Sequence, residues 1–429
     1  MAHQSVRSAY RQMASRLNRF PQGAPPSDLL YRILQLLVSE REAALIAQLP
    51  VRPFTARRAA RIWKVPLAEA ESVLDELAGR AVLVDIEGDG DRTYVLPPPM
   101  AGFFEFSMMR VRGDLDQQLL AELFFEYLNV EDEFITALFT DGETQLGRTF
   151  VSESALPSVD RDDLVLEVLD HERASEVVRT ATSRAVGMCY CRHKMDHLGR
   201  ACDAPMDICM TFNTTASSLI RHGHAREVEV DECLDLLVAA RERGLVQFGE
   251  NVRTRVNFIC NCCGCCCEAL IAARRFGHLH PVHTTGFVPR VDAASCTGCG
   301  RCVTACPVEA MSLVSANDPE RPKRKVSKLA TDICLGCGVC VPACPEGGIR
   351  LDRRERREIT PLDSVHRTIV MATERGVLQH LLFDNQVLWS HRALAAVFGA
   401  VLRLPPVTRS LARRQLRSRF LEKWLERRV

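Results

Sequence analysis

Nineteen cysteines fall between Cys189 and Cys344, and none lies in the 188 residues before them or the 85 after. A small secreted domain stapled by disulfides spreads its cysteines along a short chain. Here a dense block sits inside a chain of 429 residues that is otherwise free of cysteine, a pattern that points to metal ligation by free thiolates. Hydrophobic residues at 47% and charged residues at 25% are enough to bury a sizeable core, and the length allows two to four domains. Lys+Arg at 55 against Asp+Glu at 54 leaves no global charge that marks a nucleic-acid or membrane binder.

The first 27 residues carry Arg7, Arg11, Arg16 and Arg19 and no acid before Asp28. They contain no apolar run, so they are not a secretory signal. The same composition fits an organellar transit peptide, and a frayed or loosely docked helix is the simpler expectation. Near the other end, the apolar run Ala393 to Leu402 spans ten residues. A bilayer crossing needs about 20. The expectation is a cytoplasmic chain with no transmembrane segment, in which thiols stay reduced and available to iron.

Two stretches repeat one spacing. Cys296, Cys299, Cys302 and Cys306 precede Pro307, and Cys334, Cys337, Cys340 and Cys344 precede Pro345, each as C-x₂-C-x₂-C-x₃-C-P. Three thiolates two residues apart line one tight loop and suit three corners of an iron–sulfur cube. Gly298, Gly300, Gly336 and Gly338 let the backbone turn closely, so that amide N–H groups can face sulfur. Residues of about 288–352 resemble the bacterial-type ferredoxins that carry two [4Fe-4S] clusters. That resemblance implies a swap, with one cluster held by Cys296, Cys299, Cys302 and Cys344. The other would be held by Cys334, Cys337, Cys340 and Cys306. Between the motifs, Arg321, Lys323, Arg324, Lys325 and Lys328 form a basic insert, read as a solvated loop or as a docking site for an acidic redox partner.

A second constellation lies upstream: Cys189, Cys191, Cys202 and Cys209, then Cys260, Cys262, Cys263, Cys265, Cys266 and Cys267. The first four are the preferred ligands of a third iron–sulfur cluster, with Cys260, Cys262 and Cys263 as substitutes or as part of a further site. Arg192, His193, Lys194 and Arg200 would offset its negative charge. Structural zinc and a redox-active thiol site are the alternatives. The 260–267 run is expected at a strand-to-helix turn, after a strand over Val252 to Ile259, with Cys260 and Cys262 on one face and Cys263, Cys265 and Cys267 on the other. Cys233 lies in a helical pattern and reads as a small buried hydrophobe. His278, His280 and His283 read as surface histidines rather than as a metal triplet.

The remainder reads as multidomain α+β, mainly helical. Residues 28–97 form three helices and a hairpin, an order that resembles a winged helix-turn-helix domain. DNA binding is disfavoured there, because the third helix presents Glu69, Glu71, Asp75 and Glu76 and the wing adds Glu87, Asp89 and Asp91. Arg57, Arg58 and Arg61 on the second helix keep the DNA reading open. Residues 98–287 form a helical and cysteine-rich module, 288–352 the ferredoxin domain, and 353–429 a basic helical extension. Within that extension Leu416, Phe420, Leu421, Trp424 and Leu425 make an apolar stripe suited to a membrane surface, to an acidic partner, or to the acidic stretch of residues 112–176. The functional expectation is a cytoplasmic iron–sulfur electron-transfer protein with two [4Fe-4S] clusters and a candidate third. A redox-sensing transcriptional regulator and an oxidoreductase with its catalytic site in the upstream module are the alternatives.

Overall fold

The computed structural model describes residues 2–88, 90–139, 142–156, 172–277, 280–355 and 360–382. The apolar stripe at 416–425 and the run at 393–402 lie outside the described residues. Among the described residues, no helix is long and apolar enough to cross a membrane.

Helix α1 (Ala2–Leu17) is docked rather than loose. Tyr10, Met13 and Leu17 recur at helical spacing and are buried. Arg16 is buried beside them, and its guanidinium donates to the carbonyls of Leu49 and Pro50. The basic start therefore contributes packing, which its charge alone did not suggest.

Helix α2 (Asp28–Leu37) starts at Ser27, whose hydroxyl accepts from the Leu30 amide, and it buries Leu30, Ile33, Leu34 and Leu37. Helix α3 (Glu40–Ile46) escaped the sequence reading, although Ser39 and Glu42 close a full capping box at its start. Helices α4 (Ala56–Trp63) and α5 (Leu67–Gly79) follow. Strands β1 (Phe54–Thr55), β2 (Val84–Ile86) and β3 (Thr93–Val95) form an antiparallel sheet in the order β1-β3-β2. The hairpin was legible in the sequence, whereas β1 is too short to show any periodicity.

This unit is anchored to the cysteine-rich module through Asp85 on β2. The buried Asp85 carboxylate accepts from Ser218 Oγ and Arg221 at 2.6 Å each and faces His222 Nε2 at 3.2 Å. Burial alone would raise its pKa, but the Ser218 hydrogen bond and the His222 and Arg221 charges outweigh that and hold it below the usual value. Nearby, His224 Nε2 donates to the Gly79 carbonyl at 3.0 Å.

Burial pushes the His224 pKa down to about 4 despite that bond. The folded state thus resists protonation, while the unfolded chain takes up a proton below about 6.5. The stability that His224 contributes is complete above about 6.5 and is lost as pH falls toward 4, by up to about 3 kcal/mol. Denaturant titrations between pH 4 and 7 should show this slope, and His224→Gln should flatten it.

A six-stranded antiparallel sheet organises the cysteine-rich module. Its strands are β4 (Gly147–Thr149), β5 (Arg184–Met188), β6 (Asp207–Phe212), β7 (Arg226–Glu227), β8 (Val246–Glu250) and β9 (Phe258–Cys262), in the order β4-β8-β9-β6-β5-β7. The strand expected over Val252 to Ile259 begins only at Phe258 and runs on through Cys260 and Cys262. Val186, Met210, Phe212 and Ile259 pack in one core with Val178, Cys233 and Leu237 from helices Ala174–Thr180 and Val230–Glu242. Cys233 is fully buried there, as a small apolar residue would be.

Helix Ser364–Glu374 also belongs with this sheet. Arg367 pairs with Glu250 at 2.8 Å, and Glu374 accepts from the Thr144 hydroxyl at 2.8 Å. His283, expected on the surface, is instead buried, with Nε2 at 3.2 Å from the Thr360 hydroxyl; a polar sequence context hid a position that bridges Gly147 to the C-terminal segment. His278 lies outside the described residues.

The ferredoxin segment is built from two small antiparallel pairs, β10 (Phe287–Val291) with β13 (Ile349–Arg353), and β11 (Met311–Ser315) with β12 (Lys325–Leu329). The basic insert is only partly loop, because Lys325 and Lys328 lie on β12 and Arg324 pairs with Asp318 at 3.4 Å.

Candidate metal centres

All nineteen cysteines are free thiols. In the ferredoxin segment they gather into two sets. Cys296, Cys299, Cys302 and Cys344 line one small cavity, closed by Val291, Ser327 and Ile349. Cys306, Cys334, Cys337 and Cys340 line the other, closed by Val308, Met311, Leu329 and Leu335.

These donors suit iron–sulfur clusters. Each cavity has an apolar wall, and backbone amides already face the sulfurs: Ser327 N–H donates to Cys296 Sγ at 3.4 Å, Ala310 N–H to Cys306 Sγ at 3.2 Å, and Gly336 N–H to Cys334 Sγ at 3.4 Å. Such N–H···S bonds offset the charge of a thiolate-ligated cube. Gly336, at φ 70°, is required at its position: a Cβ would collide with the Phe287 carbonyl and the Thr285 hydroxyl. Burial pushes the Cys337 thiol up to about 12, so without a cation it stays protonated.

Upstream, the sheet and two helix starts bring six thiols together. Cys189 follows β5 and opens helix Tyr190–His197, Cys209 lies on β6, Cys260 and Cys262 lie on β9, and Cys267 opens helix Glu268–Arg275. Met210 pairs with Ile259 across β6 and β9, so the adjacent positions Cys209 and Cys260 oppose each other on the face away from the helical core. The thiols interact in a chain: Cys189 with Cys209, Cys209 with Cys260, Cys260 with Cys262, Cys262 with Cys267, and Cys267 with Cys191. Cys189, Cys209, Cys262 and Cys267 are buried.

Within this chain of thiols, those of Cys189, Cys191, Cys209 and Cys262 are pushed well up by their thiol neighbours and by burial, whereas Cys260 and Cys267 are drawn toward the anion. Hydrogen bonds from Cys209 and then Cys262 draw the Cys260 thiol down to about 7 against burial. The Cys267 thiol is lowered further, first by Cys191 and Cys262 and then by the Leu270 and Ala269 amides at the helix start.

These thiols form one wall of a cavity of about 440 Å³. Met109, Met188, Phe106 and Phe248 line it, and Val84 and Ile86 from the N-terminal hairpin help to close it. Glu105 also reaches into it, with its carboxyl pushed up to about 7 by burial. The two helices are clamped together by an ion pair between Lys194, in the last turn of the first, and Glu268, at the start of the second, whose side chains are 0% and 2% exposed. Asn129 bridges the pair, accepting from Lys194 at 2.5 Å and donating to Glu268 at 2.7 Å.

Four further upstream thiols form a tighter group of their own, and two of them, Cys263 and Cys266, also border the cavity. Cys202, Cys263, Cys265 and Cys266 have sulfurs that all lie within 4.8 Å of one another. Arg192 approaches Cys263 Sγ at 3.7 Å. The Cys263 thiol is drawn down to about 4, chiefly by the Cys266 thiol and then by Arg192, against burial. Thus Cys202 does not join Cys189, Cys191 and Cys209, although sequence proximity grouped it with them. Cys202 follows helix Tyr190–His197 and is grouped instead with the Cys263–Cys266 turn. Conversely, Cys267 takes part in the six-thiol wall, which alternation along an extended strand could not show, because the strand ends at Cys262.

The cysteine-rich turn meets the ferredoxin segment at Gly264. Gly264 lies against Pro307, the residue after Cys306, so closely that a Cβ at 264 would come within 2.6 Å of the Pro307 carbonyl oxygen. Arg274 pairs with Glu309 at 3.4 Å beside this contact.

Residues 295–348 match the family model of the 4Fe-4S dicluster domain. The chain is therefore an iron–sulfur protein that carries a ferredoxin-like dicluster domain within a larger polypeptide. No curated protein and no solved structure matches the chain.

Proposed function

We propose that the chain is an electron-transfer protein in which the dicluster domain exchanges electrons with a third iron–sulfur centre at the six-thiol wall. Bound [4Fe-4S] clusters supply one-electron oxidation and reduction. The chain's own contribution is to hold them, shield them and fix their spacing. Cys296, Cys299, Cys302 and Cys344 hold one, and Cys334, Cys337, Cys340 and Cys306 hold the other. Four of Cys189, Cys191, Cys209, Cys260, Cys262 and Cys267 hold the third. The observation that carries this reading is the contact of Gly264 with Pro307, which sets the cysteine-rich turn directly against the Cys306 loop.

The N-terminal unit is read as winged-helix-like, with a docking role. Its hairpin helps to close the cavity, and the acids of α5 are engaged within the unit: Glu69 with Arg41 at 2.7 Å and Asp75 with Arg92 at 3.2 Å. On α4, Arg57 faces Asp91 at 3.3 Å rather than standing free for phosphate.

Rapid-freeze EPR during anaerobic reduction by a low-potential donor tests the relay. The ferredoxin signals should appear first and the upstream signal second. Gly264→Val, which pushes the turn off Pro307, should slow the second phase several-fold and leave the first unchanged. An unchanged second phase would contradict the relay.

The cavity favours a second reading, an oxidoreductase acting on a small apolar molecule beside the upstream centre. Its volume falls within the range of small-molecule sites, and its walls are mainly apolar with few polar groups. A substrate would perturb the upstream EPR signal and leave the ferredoxin signals alone.

A further inference from the structure

Cys202, Cys263, Cys265 and Cys266, of which Cys263 and Cys266 also border the cavity, gather more tightly than the other upstream thiols. Cys266 and Cys202 have sulfurs 3.9 Å apart, and those of Cys265 and Cys266 are 3.6 Å apart. A single ion with metal–sulfur bonds of about 2.3 Å in a tetrahedron places its sulfurs about 3.8 Å from one another. A four-iron cube spreads its outer thiolates more widely, because each lies beyond a different corner. Among the described residues, no other group of three or more Cys, His, Asp or Glu ligands gathers this tightly, the eight ferredoxin cysteines included.

We propose that Cys202, Cys263, Cys265 and Cys266 bind one divalent ion, zinc or ferrous iron, in a mononuclear tetra-thiolate site distinct from every iron–sulfur cluster of the chain. The donor set is soft, and four thiolates in a tetrahedron select these metals. Four thiolates around a divalent ion leave a net charge of about −2. The Arg192 guanidinium offsets it from its 3.7 Å approach to Cys263 Sγ. Arg192 is buried and held in place by the carbonyls of Pro205 and Asn261, so the cation is fixed before the metal arrives.

The ion would pin the loop around Cys202 to the Cys263–Cys266 turn. That turn carries Gly264 against Pro307 and leads into Cys267 on the cavity wall. The site therefore stands between the ferredoxin segment and the cavity. With zinc it fixes the geometry of that junction, and with iron it also adds a one-electron site to it. No ligand of the dicluster domain is shared with it, so this inference does not depend on the relay.

The test compares total iron plus zinc with acid-labile sulfide in the full-length chain purified anaerobically. Clusters of the four-iron type contribute equal metal and sulfide, so the mononuclear site appears as an excess of about one metal per chain. Cys202→Ser/Cys266→Ser should abolish that excess with sulfide unchanged. The absence of an excess in the wild type, or a loss of about four sulfides in the double variant, would overturn the proposal.

Should the double variant fail to fold, the wild type still decides. Zinc-edge X-ray absorption should show four sulfurs at about 2.3 Å and no neighbouring metal. If the ion is iron, the oxidised protein should instead show a mononuclear high-spin ferric EPR signal. Finding neither would contradict the site.

Discussion

Replacing Cys344 by alanine is expected to remove the cluster of the first motif, not that of its own. Cys344 lies with Cys296, Cys299 and Cys302 around one cavity, and Cys306 lies with Cys334, Cys337 and Cys340 around the other. Cys344→Ala and Cys302→Ala should each lose about four irons and four sulfides and leave the same EPR signal behind. Their combination should lose no more than either alone. Cys302→Ala combined with Cys306→Ala should lose about eight irons. If each motif instead held its own cube, Cys344→Ala would behave like Cys340→Ala, and the Cys302/Cys344 pair would be the additive one. Iron and sulfide analysis of the single and double variants separates the two patterns.

Glu268→Ala is expected to be the most damaging substitution outside the cysteines. Lys194 would lose its charged partner in a site 0% exposed, where the Asn129 carbonyl and the Phe125 ring also face it. Breaking a buried pair by removing one partner costs about 3–5 kcal/mol, because the remaining charge is uncompensated. Replacing both partners, as Lys194→Met/Glu268→Met, should cost much less, since no buried charge survives. Anaerobic denaturant titration of the single and double variants measures the difference. The single variant should also lose the upstream cluster before the ferredoxin clusters, because the ion pair ties the helices that begin at Cys189 and Cys267. Equal stability for the two variants would mean that the pair does not hold these helices together.

How much of this was legible in the sequence follows from how local each signal is. The dicluster segment was readable because its cysteines sit at fixed short spacings, and the same residues line its two cavities. The apolar stripes of α2 and α5 and the burial of Cys233 were readable for the same reason, since helical periodicity is written within a few residues. The partition of the upstream cysteines was not. It depends on the pairing of β6 with β9, which brings Cys209 opposite Cys260 across about fifty residues of chain. It depends also on a helix that carries Cys202 away from Cys191. Neither fact has a spacing that announces it. The Lys194–Glu268 clamp is hidden likewise: beside Cys191, Lys194 reads as a neighbour of a cluster, while its partner lies 74 residues away. Helix α3 was legible in principle, because Ser39 and Glu42 stand at capping-box spacing. It has only seven residues and little apolar periodicity to draw attention to it.

The proposed electron path rests on a third cluster held at the six-thiol wall, beside the two proposed for the ferredoxin segment. Acid-labile sulfide analysis with spin-quantified EPR of the reduced, anaerobically purified protein tests it most directly. About twelve sulfides per chain and three reducible clusters are expected. About eight sulfides and two clusters, with Cys189, Cys209 and Cys267 open to alkylation after unfolding without loss of iron, would contradict it.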